Sequence, residues 1–198
     1  AALVEQAGPL CQVVAESVPG QGVRRAGDDL APGRSIAEAG RIVGSLDVLA
    51  ARVAGLAHVA VRSPQVRIID VQAADSSTAS SQFIFDFAKA AGARVTISKT
   101  NGRDAASIVA AVGVETCDLL LTVGGTGGGR TDATIHAIKE CGTLLAYGLA
   151  FQPGRTAAVG KIGATPVVAL PGLPDQALGA CLALVQPVLD MLTARLPR

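Results

Sequence analysis

Nine consecutive residues carry the densest chemical signal in this chain: Gly124-Gly125-Thr126-Gly127-Gly128-Gly129-Arg130-Thr131-Asp132. Five glycines in six positions let a backbone approach a ligand closely, at a cost in chain entropy that an idle turn has no reason to bear. A strongly apolar run, Leu119-Leu120-Leu121-Thr122-Val123, precedes them, and a helical pattern follows. The N–H groups that open such a helix are unsatisfied donors, so the chemistry implied is the binding of a phosphate or similar anion. The plain alternative is a flexible turn with Thr131 or Asp132 as an ordinary N-cap.

Two familiar phosphate motifs fit poorly. Gly124 to Thr131 nearly spells a nucleotide P-loop, but Arg130 stands where that loop needs lysine. The dinucleotide fingerprint loses its third glycine to Arg130 as well. A second strand-to-helix loop, Leu170-Pro171-Gly172-Leu173-Pro174-Asp175, places Pro174 where a first helical turn accepts it. Between the two loops, Gln152-Pro153-Gly154-Arg155-Thr156 adds a positive charge. Two such loops on one sheet would face a single anionic ligand beyond the carboxyl ends of its strands.

The elements that must position these loops follow from patterning. From Pro64 onward, strands and helices alternate. Strands are expected at 66–71, 94–98, 118–123, 143–149, 157–161 and 165–170, with helices at 77–91, 104–114, 131–141 and 174–196. Asp104 reads as a helix cap. This alternation predicts a three-layer α/β/α sandwich with a mostly parallel sheet over residues 63–198. Residues 1–62 read as a small, irregular β-rich segment with a linker helix. That helix is capped by Ser45 and carries Leu46, Leu49, Val53 and Leu56 on one face.

Composition narrows the function classes. Among 198 residues, 49% are apolar and 17% charged, which excludes a disordered chain. A formal charge of +1, with only four Phe, one Tyr and no Trp, argues against a nucleic-acid partner. No apolar run is expected to reach a membrane span, so no membrane partner is expected. The scattered thiols Cys11, Cys117, Cys141 and Cys181 read as reduced packing residues of a cytoplasmic protein. His58 and His136 have no metal-ligand spacing and read as ordinary spacer and surface residues.

At its two loops and the Gln152–Thr156 turn between them, the sequence resembles the molybdopterin molybdenumtransferase family, which includes the bacterial MoeA proteins and the gephyrin E domain. That signature runs from a Gly-Gly loop ending in Asp, through Lys-Pro-Gly-Lys-Pro, to Gly-Leu-Pro-Gly-Asn-Pro. Upstream, Arg24-Arg25-Ala26-Gly27-Asp28-Asp29-Leu30 is similar to the family's Arg-Arg-x-Gly-Glu-Asp-Leu. The resemblance implies a domain that binds molybdopterin, a pterin dithiolene bearing a phosphate, and a family activity that inserts molybdate into adenylylated molybdopterin with release of AMP and Mg2+ present. It implies that Gly124, Gly125, Thr126, Gly127 and Gly128 cradle phosphate and that Asp132 is catalytic, holding Mg2+ or orienting molybdate. It further implies that Pro171, Gly172 and Pro174 shape a second wall, that Arg155 supplies charge, and that the protein is a homodimer. Asp29 would act across the dimer interface or as a structural acid.

The departures bear on catalysis. The family's acidic loop after the 66–71 strand is replaced by Gln72-Ala73-Ala74-Asp75-Ser76-Ser77, and both lysines of Lys-Pro-Gly-Lys become Gln152 and Arg155. Fewer carboxylates mean fewer ligands for a hard cation. Three functions therefore compete. One is a molybdenumtransferase-like enzyme with a degenerate metal site. The second is a non-catalytic molybdopterin-binding carrier or sensor. The third is a phosphate-loop nucleotide hydrolase, or a relative of the competence-damage-type amidohydrolases.

Overall fold

The computed structural model describes residues 4–13, 16, 18–71, 77–113, 116–129 and 132–195. The chain divides into two compact units, residues 1–38 with 43–59, and residues 39–42 with 60–198.

The first unit opens with a hairpin of β1 (Val4–Ala7) and β2 (Leu10–Val13), joined by a two-residue loop. Gly8 supplies the positive φ of 61° that so short a turn requires. Arg24 and Asp29 form an exposed ion pair at 2.6 Å. Helix α1 (Ser45–Val53) is capped by Gly44, whose N–H donates to the Asp47 carboxylate at 2.8 Å, so Ser45 is the first helical residue and not the cap. The expected apolar face of α1 is not buried. Leu46 is 78% exposed and Val53 61%, whereas Ala51 is the buried position.

The second unit is built on a six-stranded sheet in the order β4-β3-β5-β8-β7-β6. Its strands are β3 (Gln65–Asp70), β4 (Arg94–Lys99), β5 (Leu119–Val123), β6 (Thr143–Tyr147), β7 (Ala158–Ile162) and β8 (Thr165–Leu170). Neighbours from β4 to β8 are parallel, and β7 alone runs against the rest. The helices are α2 (Ala79–Ala90), α3 (Ala105–Val112), α4 (Thr134–Cys141) and a long C-terminal helix. That last helix runs as α5 (Pro174–Ala180), a π-helical turn (Cys181–Val185) and α6 (Gln186–Thr193).

The strand period of two explains the layers. Leu119, Leu121 and Val123 pack on one face with Ile84 of α2 and Ala177, Ala180, Val185 and Leu189 of the C-terminal helix. Leu120 points to the other face, with Ile108 of α3 and Ala137 and Ile138 of α4. Every residue of β5 is buried, as a central parallel strand covered on both faces demands. The segment Pro174–Thr193 is long and apolar enough to cross a membrane by length and composition, which corrects the expectation that no run approaches a span. A core helix passes the same test, and here the inner face of the helix is packed against the sheet.

Asp104 is the N-cap of α3. Its carboxylate accepts from the Ser107 N–H at 2.9 Å and from the Ser107 hydroxyl at 2.7 Å. These bonds favour the ionised form and lower its pKa, the side-chain bond most. A depressed folded-state pKa adds stability above the ordinary carboxylate range, and that stability is lost on acidification. Asp104→Ala is therefore expected to lower the unfolding midpoint at pH 7, with the difference from the parent chain closing as the pH falls below the carboxylate range. Thermal unfolding across pH checks this, and a gap that persists in acid would contradict it. Burial raises the thiol pKa of Cys181 to about 12, so this residue is a neutral packing group.

Candidate functional site

The parallel strands end on one rim, and the loops leaving β5, β8 and β4 meet there. They enclose a cleft of about 410 Å³, within the size range of small-ligand pockets. It is lined by Gly124 to Gly127 and Asp132 after β5, and by Pro171 to Leu173 with Gln176 after β8. Arg103 after β4 and Thr156 before β7 complete the wall.

Close packing fixes the first loop. The Gly124 N–H donates to Leu170 O of β8 at 2.8 Å. The buried Thr134 at the start of α4 holds the next turn: its hydroxyl donates to Gly124 O at 2.9 Å and its N–H to Gly125 O at 3.1 Å. Gly125 has a φ of 65°, and a Cβ there would lie 2.6 Å from Thr134 Oγ1 and 3.2 Å from Val71 Cγ1. Tyr147, at the end of β6, donates its hydroxyl to Thr126 O at 3.0 Å, and the Thr126 and Thr156 hydroxyls are 3.3 Å apart. After these bonds, the N–H groups of Gly125, Thr126, Gly127 and Gly128 have no acceptor among the described residues. The second loop is tied to α2 by the Ser80 hydroxyl, which donates to Gly172 O at 2.7 Å.

Asp132 does not cap α4, which begins at Thr134 with Ala133 as its N-cap. Its Oδ2 instead accepts from the Gly129 N–H at 2.9 Å, and its Oδ1 accepts from Arg103 Nη2 at 2.9 Å. A Cβ on Gly127 would lie 2.7 Å from that carboxylate, so the glycine loop wraps around Asp132. The alternative cap, Thr131, lies outside the described residues, as do Arg130 and residues 72–76 of the Gln72–Ser77 replacement of the acidic loop.

The structure brings Gly124, Gly125, Thr126, Gly127, Asp132, Pro171 and Gly172 together at the cleft. Gly128, Arg155 and Pro174 are not among its lining residues: Arg155 is exposed, and Pro174 is the first residue of α5. Among the described residues, the cation at the cleft is Arg103, which sequence reasoning missed along with Tyr147 and Gln176. The available signal was Arg103's place immediately before a helix cap, at the end of a parallel strand.

The described residues do not make a Mg2+ site. Both oxygens of Asp132 are engaged, an arginine occupies one of them, and no group of three or more His, Cys, Asp or Glu side chains among the described residues could hold a metal. A hard cation takes several oxygen ligands, and one carboxylate already paired with a guanidinium does not supply them. The donor set fits an oxyanion instead: backbone N–H groups, two threonine hydroxyls and a guanidinium.

Known proteins share this chain's sequence pattern and fold. Residues 67–191 match the family model described as "Probable molybdopterin binding domain". Molybdopterin molybdenumtransferase 2 of Mycobacterium tuberculosis is 27% identical over 197 residues, covering 89% of this chain and 48% of the relative. Molybdopterin molybdenumtransferase 1 of the same organism is 28% identical, with 85% and 43% covered. The chain thus spans about half the length of the curated relatives it matches. A molybdopterin biosynthesis MoeA protein from Pyrococcus horikosii shares the fold, with a TM-score of 0.72 at 24% identity over 98% of this chain and 52% of that one. The crystal structure of molybdenum cofactor biosynthesis protein B gives a TM-score of 0.56 at 25% identity, over 69% of this chain and 97% of that one. With more than half of its length matched by the model, and with the loops of that fold around its cleft, the chain belongs to the molybdopterin-binding domain family of molybdenum cofactor biosynthesis.

Proposed function

We propose that the cleft binds molybdopterin, free or adenylylated, by its phosphate group, and that this chain serves as a binding module in molybdenum cofactor biosynthesis. One observation carries the reading. Three successive loop N–H groups, from Gly125 to Gly127, lack acceptors among the described residues where the glycine loop borders the cleft. Unpaired backbone donors of this kind need an anion or water, and the family supplies the class of anion. Thr126 and Thr156 add hydroxyls beside them, and the Pro171–Leu173 wall gives the pterin body a surface to lie against.

A second reading, molybdate insertion with release of AMP, rests on the relatives' names and needs a metal. The engagement of Asp132 by Arg103 and Gly129 favours binding without transfer. The deciding experiment is to incubate the protein with adenylylated molybdopterin, molybdate and Mg2+, and to follow bound pterin and free AMP together. The expected result is retained pterin with AMP release no faster than without protein. Release well above that background would establish transfer in its place.

A further inference from the structure

Among the described residues, the charged side chains lining the cleft are Arg103 and Asp132, and they are spent on each other. Arg103 lies where both flanks are pinned: the Thr100 N–H donates to Asp70 O at 3.0 Å, and Asp104 caps α3. From there its Nη2 reaches Asp132 Oδ1 at 2.9 Å. Its Nε is buried and has no hydrogen-bond partner among the described residues. A guanidinium is a planar fork suited to taking two oxygens of one carboxylate or phosphate. Here Asp132 gives it one oxygen and turns the other to the Gly129 N–H.

A half-filled fork beside the glycine loop has a further consequence. Among the described residues, the side-chain charge lining the cleft sums to zero with Asp132 paired to Arg103, so backbone N–H groups and threonine hydroxyls are the donors these residues leave to a phosphate dianion. Once a phosphate engages Arg103, it takes the position that the carboxylate held, and both anions cannot share one fork cheaply.

We propose that Arg103 is the residue that recognises a terminal phosphate in this cleft, and that Asp132 is an internal stand-in that holds the guanidinium until the phosphate displaces it. This deepens the reading of the cleft as a phosphate site and rests on it. It also fixes a sign. Asp132→Asn removes the competing charge, yet leaves an amide oxygen to accept from the Gly129 N–H. It should tighten phosphate binding. A metal ligand would act in the opposite direction.

The test is calorimetric titration of the full chain with inorganic phosphate and, separately, with molybdopterin, thermal unfolding confirming that each variant is folded. Asp132→Asn is expected to bind phosphate about fivefold more tightly, and Arg103→Gln about tenfold more weakly. Arg103→Lys, which keeps the charge and loses the fork, should fall between Arg103→Gln and the parent. Should Arg103→Gln fail to fold, Arg103→Lys against Asp132→Asn decides the matter alone. Weaker phosphate binding by a folded Asp132→Asn variant overturns the proposal, as does binding indifferent to position 103 or no phosphate binding by the parent chain. The two readings separate cleanly. Molybdopterin binding that ignores both substitutions keeps the pterin reading and removes the role of Arg103. Phosphate responses as stated, with no molybdopterin binding, keep Arg103 and remove the pterin.

Discussion

Gly125→Ala is expected to destabilise the chain by about 2–4 kcal/mol and to weaken phosphate and molybdopterin binding at least roughly tenfold. Two independent costs meet at this residue. Its φ of 65° lies in the left-handed region that side chains rarely adopt. The added Cβ would also press on the Thr134 hydroxyl and on Val71, both buried. Thr134 cannot retreat freely, because its hydroxyl holds Gly124 O and its N–H holds Gly125 O. Relief therefore comes from moving the loop itself, and with it the N–H groups that lack acceptors among the described residues. Chemical denaturation and titration on the same sample check both parts. A variant as stable as the parent, with unchanged binding, would contradict the loop geometry.

Leu121→Ala is the second large effect, and it divides the two readouts. Leu121 is fully buried at the centre of β5, in register with Ile68 of β3 and Val168 of β8. Its side chain packs in the cluster shared with α2 and the C-terminal helix. Truncation leaves a cavity that a close-packed three-layer core does not collapse to fill, at a cost of about 3 kcal/mol. The loop begins beyond Val123, and its ties to Leu170, Thr134 and Tyr147 do not involve Leu121. Anion affinity of the folded variant is therefore expected to stay within about threefold of the parent. Denaturant unfolding beside a titration at low temperature checks the contrast. Loss of affinity in step with stability would show that the strand and the loop are one cooperative unit.

The contrast between these residues shows what was legible beforehand. β5 could be read from Leu119 to Val123 because continuous apolar residues at a strand's length mark burial on both faces. The glycine loop was legible because glycine density reports a backbone need directly. Gly92, at a φ of 94° after α2, ended that helix where expected. The start of α4 was not legible, because the glycine run and Asp132 fold back on one another before the helix begins at Thr134.

Arg103 was hidden for a topological reason. It leaves β4, which lies outside β3, yet it reaches the loop after β5 on the far side of β3. That approach depends on strand order, which alternation alone does not give. Tyr147 was hidden in the same way, reaching Thr126 from the opposite end of the sheet. Arg155 shows the converse: a charge that lies between the two cleft loops in sequence is exposed and is not among the cleft's lining residues. The exposed leucines of α1 show that helical periodicity identifies an apolar face without saying what covers it.

The measurement that bears most directly on this account is equilibrium binding of molybdopterin to the purified chain, with Mg-ATP as the competing ligand. The account predicts roughly micromolar pterin binding that inorganic phosphate displaces and Mg-ATP does not match. Tight Mg-ATP binding with no pterin binding would contradict it, and would make the near-P-loop spelling of Gly124 to Thr131 the better guide to function.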